Sequence, residues 1–268
     1  MNAFFIVLFC RFLHKRSVIV VGGYETAYVP EINYGRLLSL PDRLEVKFIL
    51  KHSFCTLAVS RSTEKEILRF TQPRNLKLIY NGVDVEKFKP SGPKENLVMT
   101  VVSEISLDTI KIKRLDTFLK ASRYLPNVKF ILVGGFSDDS IEYLKKMGSS
   151  TVEFEGYLHY EALLQYYQKA KVYCQLSAHE SFGVSLAEAM SCCCIPVVTK
   201  KYALPEIVND TGFYVPYDDP RTTRDTIKTA LKSNKGLRAR ERIQKYFSLE
   251  IREKRLVEEI NYLIEDSL

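Results

Sequence analysis

Six short apolar runs recur at 97–102, 128–133, 152–154, 172–176, 195–198 and 213–215, and few folds accommodate them. Each has strand length and is rich in Val, Ile, Leu or Phe. Helical spacing of apolar residues fills the intervals, near 114–124, 138–147, 159–170, 184–192 and 203–208. After Pro220 the helical pattern continues near 221–233, 236–246 and 249–266. Short strands alternating with helices build βαβ units, so this region predicts a complete doubly wound parallel sheet. Ligands of such sheets lie beyond the carboxyl ends of the strands. The loops to inspect are therefore 103–113, 134–135, 156–157, 177–183 and 199–203.

The most informative of these loops lies within YCQLSAHESFGVSLAEAMSCCCIPVVT, residues 173–199. Gly183 stands just before the predicted helix, where backbone N–H groups lack helical partners and the dipole is positive. Such a start binds anions, phosphate above all. Two carboxylates bracket it, Glu180 and Glu188. Eight helical residues rise about 12 Å, the scale from hexose to ribose in a nucleoside diphosphate sugar. Each acid could then accept hydrogen bonds from hydroxyls, one set on a sugar and one on a ribose. The pyrophosphate would lie over the amides near Phe182, Gly183 and Val184, and it calls for a cation. The loop after the first strand of this region supplies Lys111, Lys113 and Arg114.

The first region alternates in the same way. Residues 17–21 form a β-branched strand ending in Gly22-Gly23. Helical pattern follows at 44–52, a strand at 56–59, a helix at 60–70 that starts at a Ser/Thr cap with Thr63 and Glu66 in capping-box relation, and a strand at 76–80. The stretch 89–96, KPSGPKEN, has no apolar residue and reads as the linker. The expected divisions are 1–92, 93–246 and a C-terminal helix over 247–268 that packs back toward the first domain.

The opening MNAFFIVLFCRFL is strongly apolar but too short to span a membrane, and its basic residues follow it, unlike a secretory signal. It reads as a buried helix, with an interfacial helix as the alternative. A net charge of +7 over 268 residues suits anionic small ligands or a membrane face and is too weak for a nucleic-acid surface. The basic segment 235–245 reads as a solvated face. Six cysteines, three of them adjacent at 192–194, form neither a disulfide framework nor a zinc site, and they read as small fillers in a reducing compartment. No G-x-G-x-x-G follows a strand, which argues against a dinucleotide-dependent oxidoreductase.

HESFGVSLAEAM, then IPVVT and LPEIV-x(3)-TGFYVP, resembles the retaining glycosyltransferases of the GT-B fold, family 4. LAVSRSTEKEI, IYNGVD-x(2)-KFKP, KFILVGG and the Glu-Gly-Tyr-Leu before LLQYYQKAKVY agree with it, so the resemblance runs from about Ser17 to Leu268. It implies two Rossmann-like domains and transfer of a sugar from a nucleotide donor with retention, no metal or other cofactor being required. Glu188 matches the acid that binds the ribose hydroxyls, and Glu180 the acid that contacts the donor sugar. Ser181, Phe182, Gly183 and Val184 match the loop whose amides meet sugar and phosphate. Lys113 matches the phosphate-binding lysine, and Leu158 the backbone contact to the base. The family has Gly-Arg where Ser103-Glu104 stands, so Lys111 or Arg114 is expected to replace the missing cation, and Arg114 itself occupies the usual glycine.

The resemblance also implies an N-terminal domain that opens with a strand and a glycine-rich loop, neither of which has a counterpart here. The expectation is a truncated acceptor-side domain beside a complete donor-side domain. It carries an alternative: a non-catalytic or split-enzyme module that binds donor or a partner chain completing the first domain. The expected acceptor is a glycan or lipid-linked sugar, and the expected place is the cytoplasm, with peripheral contact at the membrane face.

Overall fold

The computed structural model describes residues 3–265, which divide into two compact units. The first comprises Met1–Asn81, Glu180–Phe182 and Arg252–Leu268; the second comprises Gly82–His179 and Gly183–Ile251. The ends of the expected outer divisions, 1–2 and 266–268, lie outside the described residues.

In the first unit, β1 (Val18–Val21), β2 (Cys55–Ala58) and β3 (Leu76–Leu78) form a parallel sheet in that order. Helices α1 (Ala3–Phe12), α2 (Leu40–His52) and α3 (Arg61–Phe70) accompany it. Val21, Val46, Leu50, Ala58 and Ile67 make one small core. A second core joins Cys55, Leu57 and Ile79 to Leu263, from the helix that ends the described chain. Lys77 also pairs with Glu259 at 3.2 Å, and Arg252 donates to the Tyr80 carbonyl at 2.7 Å.

Two readings of this region are corrected. Helix α3 starts at a Ser cap as expected, with the Ser60 hydroxyl accepting from the Thr63 amide at 3.0 Å, but the box expected between Thr63 and Glu66 does not start the helix. The α1 helix is not buried. Only Val7 is, while Phe5, Phe9 and Phe12 are 50%, 58% and 79% exposed, because α2 covers one side of α1 only.

In the second unit, six parallel strands lie in the order β6-β5-β4-β7-β8-β9. They are β4 (Glu95–Ile105), β5 (Lys129–Phe136), β6 (Val152–Phe154), β7 (Ala170–Gln175), β8 (Ile195–Thr199) and β9 (Phe213–Val215). Counted from β4 the order is 3-2-1-4-5-6, which reverses between β4 and β7 and leaves a crevice there. The core runs through Val98, Phe118, Phe130, Leu132, Val172, Ile195 and Ile227. Helices α5 (Leu115–Ser122), α6 (Ser140–Lys145) and α10 (Pro220–Lys232) contribute to this core, while α7 (Tyr160–Lys169) and α8 (Val184–Ser191) bury Tyr167, Leu186 and Met190 outside it.

The predicted loop 103–113 is also corrected. β4 continues to Ile105 through a register shift, and α4 (Leu107–Lys113) follows at once. Ser106 and Thr109 start it with a reciprocal capping box. The division between units falls at Asn81/Gly82 instead of the expected 93. The reason is that 82–88 is bound into the second unit. Val83 bridges Ser248, and the Arg240 guanidinium donates to the carbonyls of Val85 and Phe88. Arg242 likewise donates to the carbonyls of Glu206 and Ile207, so the face read as solvated holds backbone together. Cys192 and Cys194 are fully buried and all six thiols are free, as small fillers should be.

Candidate donor-binding site

Two loops meet at the switch point of the second unit. The Ala178 amide, after β7, donates to the Ile112 carbonyl of α4 at 2.7 Å. Lys113 is the last residue of α4, next in the chain to that bond, and is half-buried. Lys111 lines a cleft of about 710 Å³ with Leu107, Arg114, Asp138, Asp139 and Tyr143. Arg114 has φ 52°, the left-handed conformation a glycine would take without strain. Its guanidinium is occupied by Asp116 at 3.2 Å and by Asp218, so it is committed to holding this loop. Of the three cations expected at the phosphate, Lys111 and Arg114 line this cleft, and Lys113 lies between them in the chain, next to the Ile112 carbonyl that joins the two loops.

Gly183 precedes α8 with φ 90°, and no side chain among the described residues caps the helix start. A Cβ there would face a strained backbone, so glycine fits for conformational reasons. The first amides of α8 therefore keep their donor capacity at the positive end of the helix dipole. Val184, the first helical residue, is 43% exposed.

Glu188 lies in the second turn of α8, and the Tyr167 hydroxyl donates to its Oε2 at 3.1 Å. Burial raises its carboxyl from the ordinary 4.5 to about 7; the Tyr167 hydrogen bond and the Lys87 charge pull the other way. Tyr160 lies close enough that the Glu188 charge, after burial, helps push its phenol up to about 12. Its hydroxyl is buried and meets no hydrogen-bond partner among the described residues. The Lys87 ammonium sits 3.3 Å from the centre of the Tyr160 ring. Leu158 follows the turn at Gly156, whose carbonyl accepts from Gly134 of β5 at 2.9 Å. Tyr160, Tyr167 and Lys87 escaped the sequence reading. The aromatic pair in QYYQK reads as ordinary helix packing, and nothing local links it to a glutamate twenty-one residues on.

Glu180, Ser181 and Phe182 group with the first unit. Glu180 is buried, and its charge is the next cause after burial of the rise of the Tyr34 phenol to about 12. The Ser181 carbonyl accepts from the Thr63 hydroxyl at 3.5 Å. Gly23 approaches the same residue so closely that an added Cβ would lie 2.2 Å from the Ser181 Cβ. Phe182 is buried, with its ring 6.5 Å from that of Tyr80.

Against this geometry, the profile of the family described as glycosyl transferases group 1 matches residues 85–248. The chain belongs to that family. An uncharacterised glycosyltransferase of Methanocaldococcus jannaschii is 25% identical over 248 residues, covering 86% of this chain and 62% of that protein. Sucrose-phosphate synthase from Thermosynechococcus elongatus superposes with a TM-score of 0.83 at 21% identity, over 98% of this chain and 72% of that one. The Anabaena protein HepE, in complex with UDP-glucose, superposes with a TM-score of 0.82 at 18% identity, over 97% and 76%. The two parallel sheets are thus of GT-B type. The chain spans about half to three fifths of the length of the curated relatives it matches.

Proposed function

We propose that this chain transfers a sugar from a nucleotide-sugar donor to a glycan or lipid-linked acceptor, with retention at the anomeric carbon. One observation carries the reading: a helix start without a side-chain cap, at the sheet's switch point, with a half-buried carboxylate in its second turn. That pairing suits a diphosphate joined to a ribose. The donor complex of the Anabaena neighbour supports it.

In this reading Glu188, held by Tyr167, accepts hydrogen bonds from the ribose diol. The Gly183 and Val184 amides, with Lys113, carry the diphosphate, and Leu158 meets the base. Glu180, Ser181 and Phe182 contact the donor sugar. The acceptor hydroxyl attacks the anomeric carbon on the face from which the diphosphate departs, and the departing phosphate oxygen takes its proton. Stabilising the charge on the leaving oxygen is the main task, which amides and one lysine perform without a protein nucleophile. Chelation of divalent metal is expected to leave transfer unchanged.

A thermal-shift panel of UDP-, GDP- and ADP-sugars tests the donor class, since a ligand that binds the folded state raises its stability by mass action. A flat panel overturns the reading, as does a product of inverted anomeric configuration by NMR.

The first unit favours a second reading beside this one. Its described sheet has three strands, and edge strand β1 leaves Val18 and Val20 42% and 48% exposed. An apolar parallel edge of this kind calls for further covering chain. A polypeptide that protects the β1 amides from hydrogen exchange and is required for transfer would establish a two-chain enzyme. Full transfer by this chain alone would remove that reading. Among the described residues no helix is long and apolar enough to cross a membrane. The exposed phenylalanines of α1, followed by Lys15 and Arg16, support peripheral contact at a cytoplasmic membrane face, where lipid-linked acceptors reside.

A further inference from the structure

The second unit has another cleft, at the carboxyl ends of β8 and β9, beyond β7 in the sheet. Its volume is about 380 Å³, within the range of small-molecule sites, and its lining includes Thr199, Lys200, Lys201, Tyr214 and Tyr217. The Thr199 hydroxyl donates to the Ser177 carbonyl at 2.8 Å, which fixes this wall to the loop that follows β7. The Tyr202 ring lies 4.2 Å from that of His179 in the same loop. The cleft is therefore continuous in structure with the switch loops, yet none of its residues has a part in the donor site above.

Its charge is unbalanced. The Lys200 ammonium lies 5.3 Å from the centre of the Tyr214 ring, and the Lys201 ammonium 5.2 Å from that of Tyr217. Among the described residues neither ammonium meets a carboxylate or a hydrogen-bond acceptor. The acids that follow in the chain are already committed. Asp218 pairs with Arg114, and Asp219 caps α10 by accepting from the amides of Arg221 and Thr222 at 3.0 Å each. Tyr214 is held in turn by its hydroxyl, which donates to the Asn209 carbonyl at 2.7 Å. Two uncompensated cations over two aromatic rings, that of Tyr214 held by its hydroxyl, at strand carboxyl ends, form a surface that favours an anion carried on a compact ring.

We propose that this cleft is a subsite for an anionic sugar, a ring bearing a carboxylate or phosphate that bridges Lys200 and Lys201 while its C–H face lies along Tyr214 and Tyr217. The proposal deepens the transferase reading and rests on it, since the anionic sugar is either the donor's own hexose or the acceptor.

Calorimetric titration of the whole chain and of a Lys200→Gln/Lys201→Gln double variant separates the two sources. In the donor arm, UDP, UDP-glucose and UDP-glucuronic acid are compared. In the acceptor arm, glucose and glucose 6-phosphate are titrated with and without UDP. The anionic member of one pair is expected to bind about tenfold tighter than its neutral partner, the scale of a charge-assisted contact. The double variant should lose that preference and keep its UDP affinity and melting temperature, since both lysines are exposed. Preference in the first arm assigns the subsite to the donor, and preference in the second to the acceptor. Equal binding of neutral and anionic members in both arms, or a preference that survives the double substitution, overturns the proposal. If UDP itself fails to bind while glucose 6-phosphate still binds in a lysine-dependent way, the donor reading falls and the subsite stands.

Discussion

In the six-stranded sheet, Val98, Met99, Val172 and Cys174 on the central strands are fully buried, whereas β1 of the three-stranded sheet leaves Val18 and Val20 nearly half exposed. Both sheets are parallel and both alternate with helices. Parallel strands are apolar on both faces, so they are stable to the extent that both faces are covered. The larger sheet has helices enough for that: Val98, Phe130 and Val172 lie in one core, and their strand neighbours Met99, Ile131 and Tyr173, on the opposite face, are fully buried as well. The smaller one divides its apolar residues between two small cores, and one of these depends on Leu263 from the far end of the chain. A strand sequence thus specifies a strand in either setting, and the number of covering elements decides how much stability it contributes.

The largest expected effect tests that contrast directly. Phe130→Ala removes a buried ring whose centre lies 5.3 Å from that of Phe118. It should cost about 3–5 kcal/mol in urea unfolding, against about 0.5 kcal/mol or less for Val18→Ala. Comparable losses from the two would mean that β1 is covered in solution.

Next comes the division of labour between the two acids. Glu188→Ala should weaken nucleotide binding by about 1.5–3 kcal/mol, the value of hydrogen bonds to a charged group. Glu180→Ala should keep that affinity in calorimetry and lower the transfer rate. Wild-type behaviour in both variants would break the assignment.

Gly35→Ala probes the smaller unit's loops. Gly35 has φ +110°, and a Cβ there would lie 2.1 Å from the Ala27 carbonyl oxygen. A loss of about 1–3 kcal/mol is expected, read as a lower denaturation midpoint.

The pH response of Glu188 follows from its raised carboxyl. With a folded value of about 7 against an ordinary 4.5, its contribution to stability is full below about pH 4.5 and is lost as pH rises through 7. Donor affinity should have the opposite slope, because the ribose diol donates to the ionised form. Between pH 6 and 8 the ionised fraction grows about tenfold, and nucleotide affinity should grow with it. A Glu188→Gln variant should show neither slope.

The smallest effects are those of the helix caps. Ser60→Ala in the first unit and Asp219→Ala in the second each remove a side-chain cap and should each cost about 1 kcal/mol. Equal values would show that local capping is indifferent to the size of the sheet beside it.

Much of the fold was legible because the signals are local. The six runs between 97 and 215 appear as strands in the expected order, with ends moved by up to three residues. β4 runs past its expected end: Ser103 and Glu104 look like the start of a loop, while a register shift against β5 lets the strand absorb them. α4 was missed because LDTIKIK is brief and its cap, Ser106 with Thr109, carries no acidic partner of the usual kind. Of the site residues, Gly183 and Glu188 stand where the reading put them, on either end of one short helix segment. Lys111 and Arg114 line one cleft together, and Arg114 is committed there to Asp116 and Asp218, a pairing that no local signal announces because Asp218 lies about a hundred residues away.

Sequence alone therefore determined the βα alternation, the glycine at the start of α8 and the spacing of its acids, because periodicity, backbone freedom and separation along a helix are properties of neighbouring residues. Tertiary structure alone decided that Tyr167 holds Glu188, that Arg240 binds the Val85 and Phe88 carbonyls, and that Lys200 and Lys201 meet no acidic partner among the described residues. Hydrogen bonding, burial and charge balance depend on groups brought together from distant parts of the chain, and those meetings exist only once the strands have taken their places in the sheet.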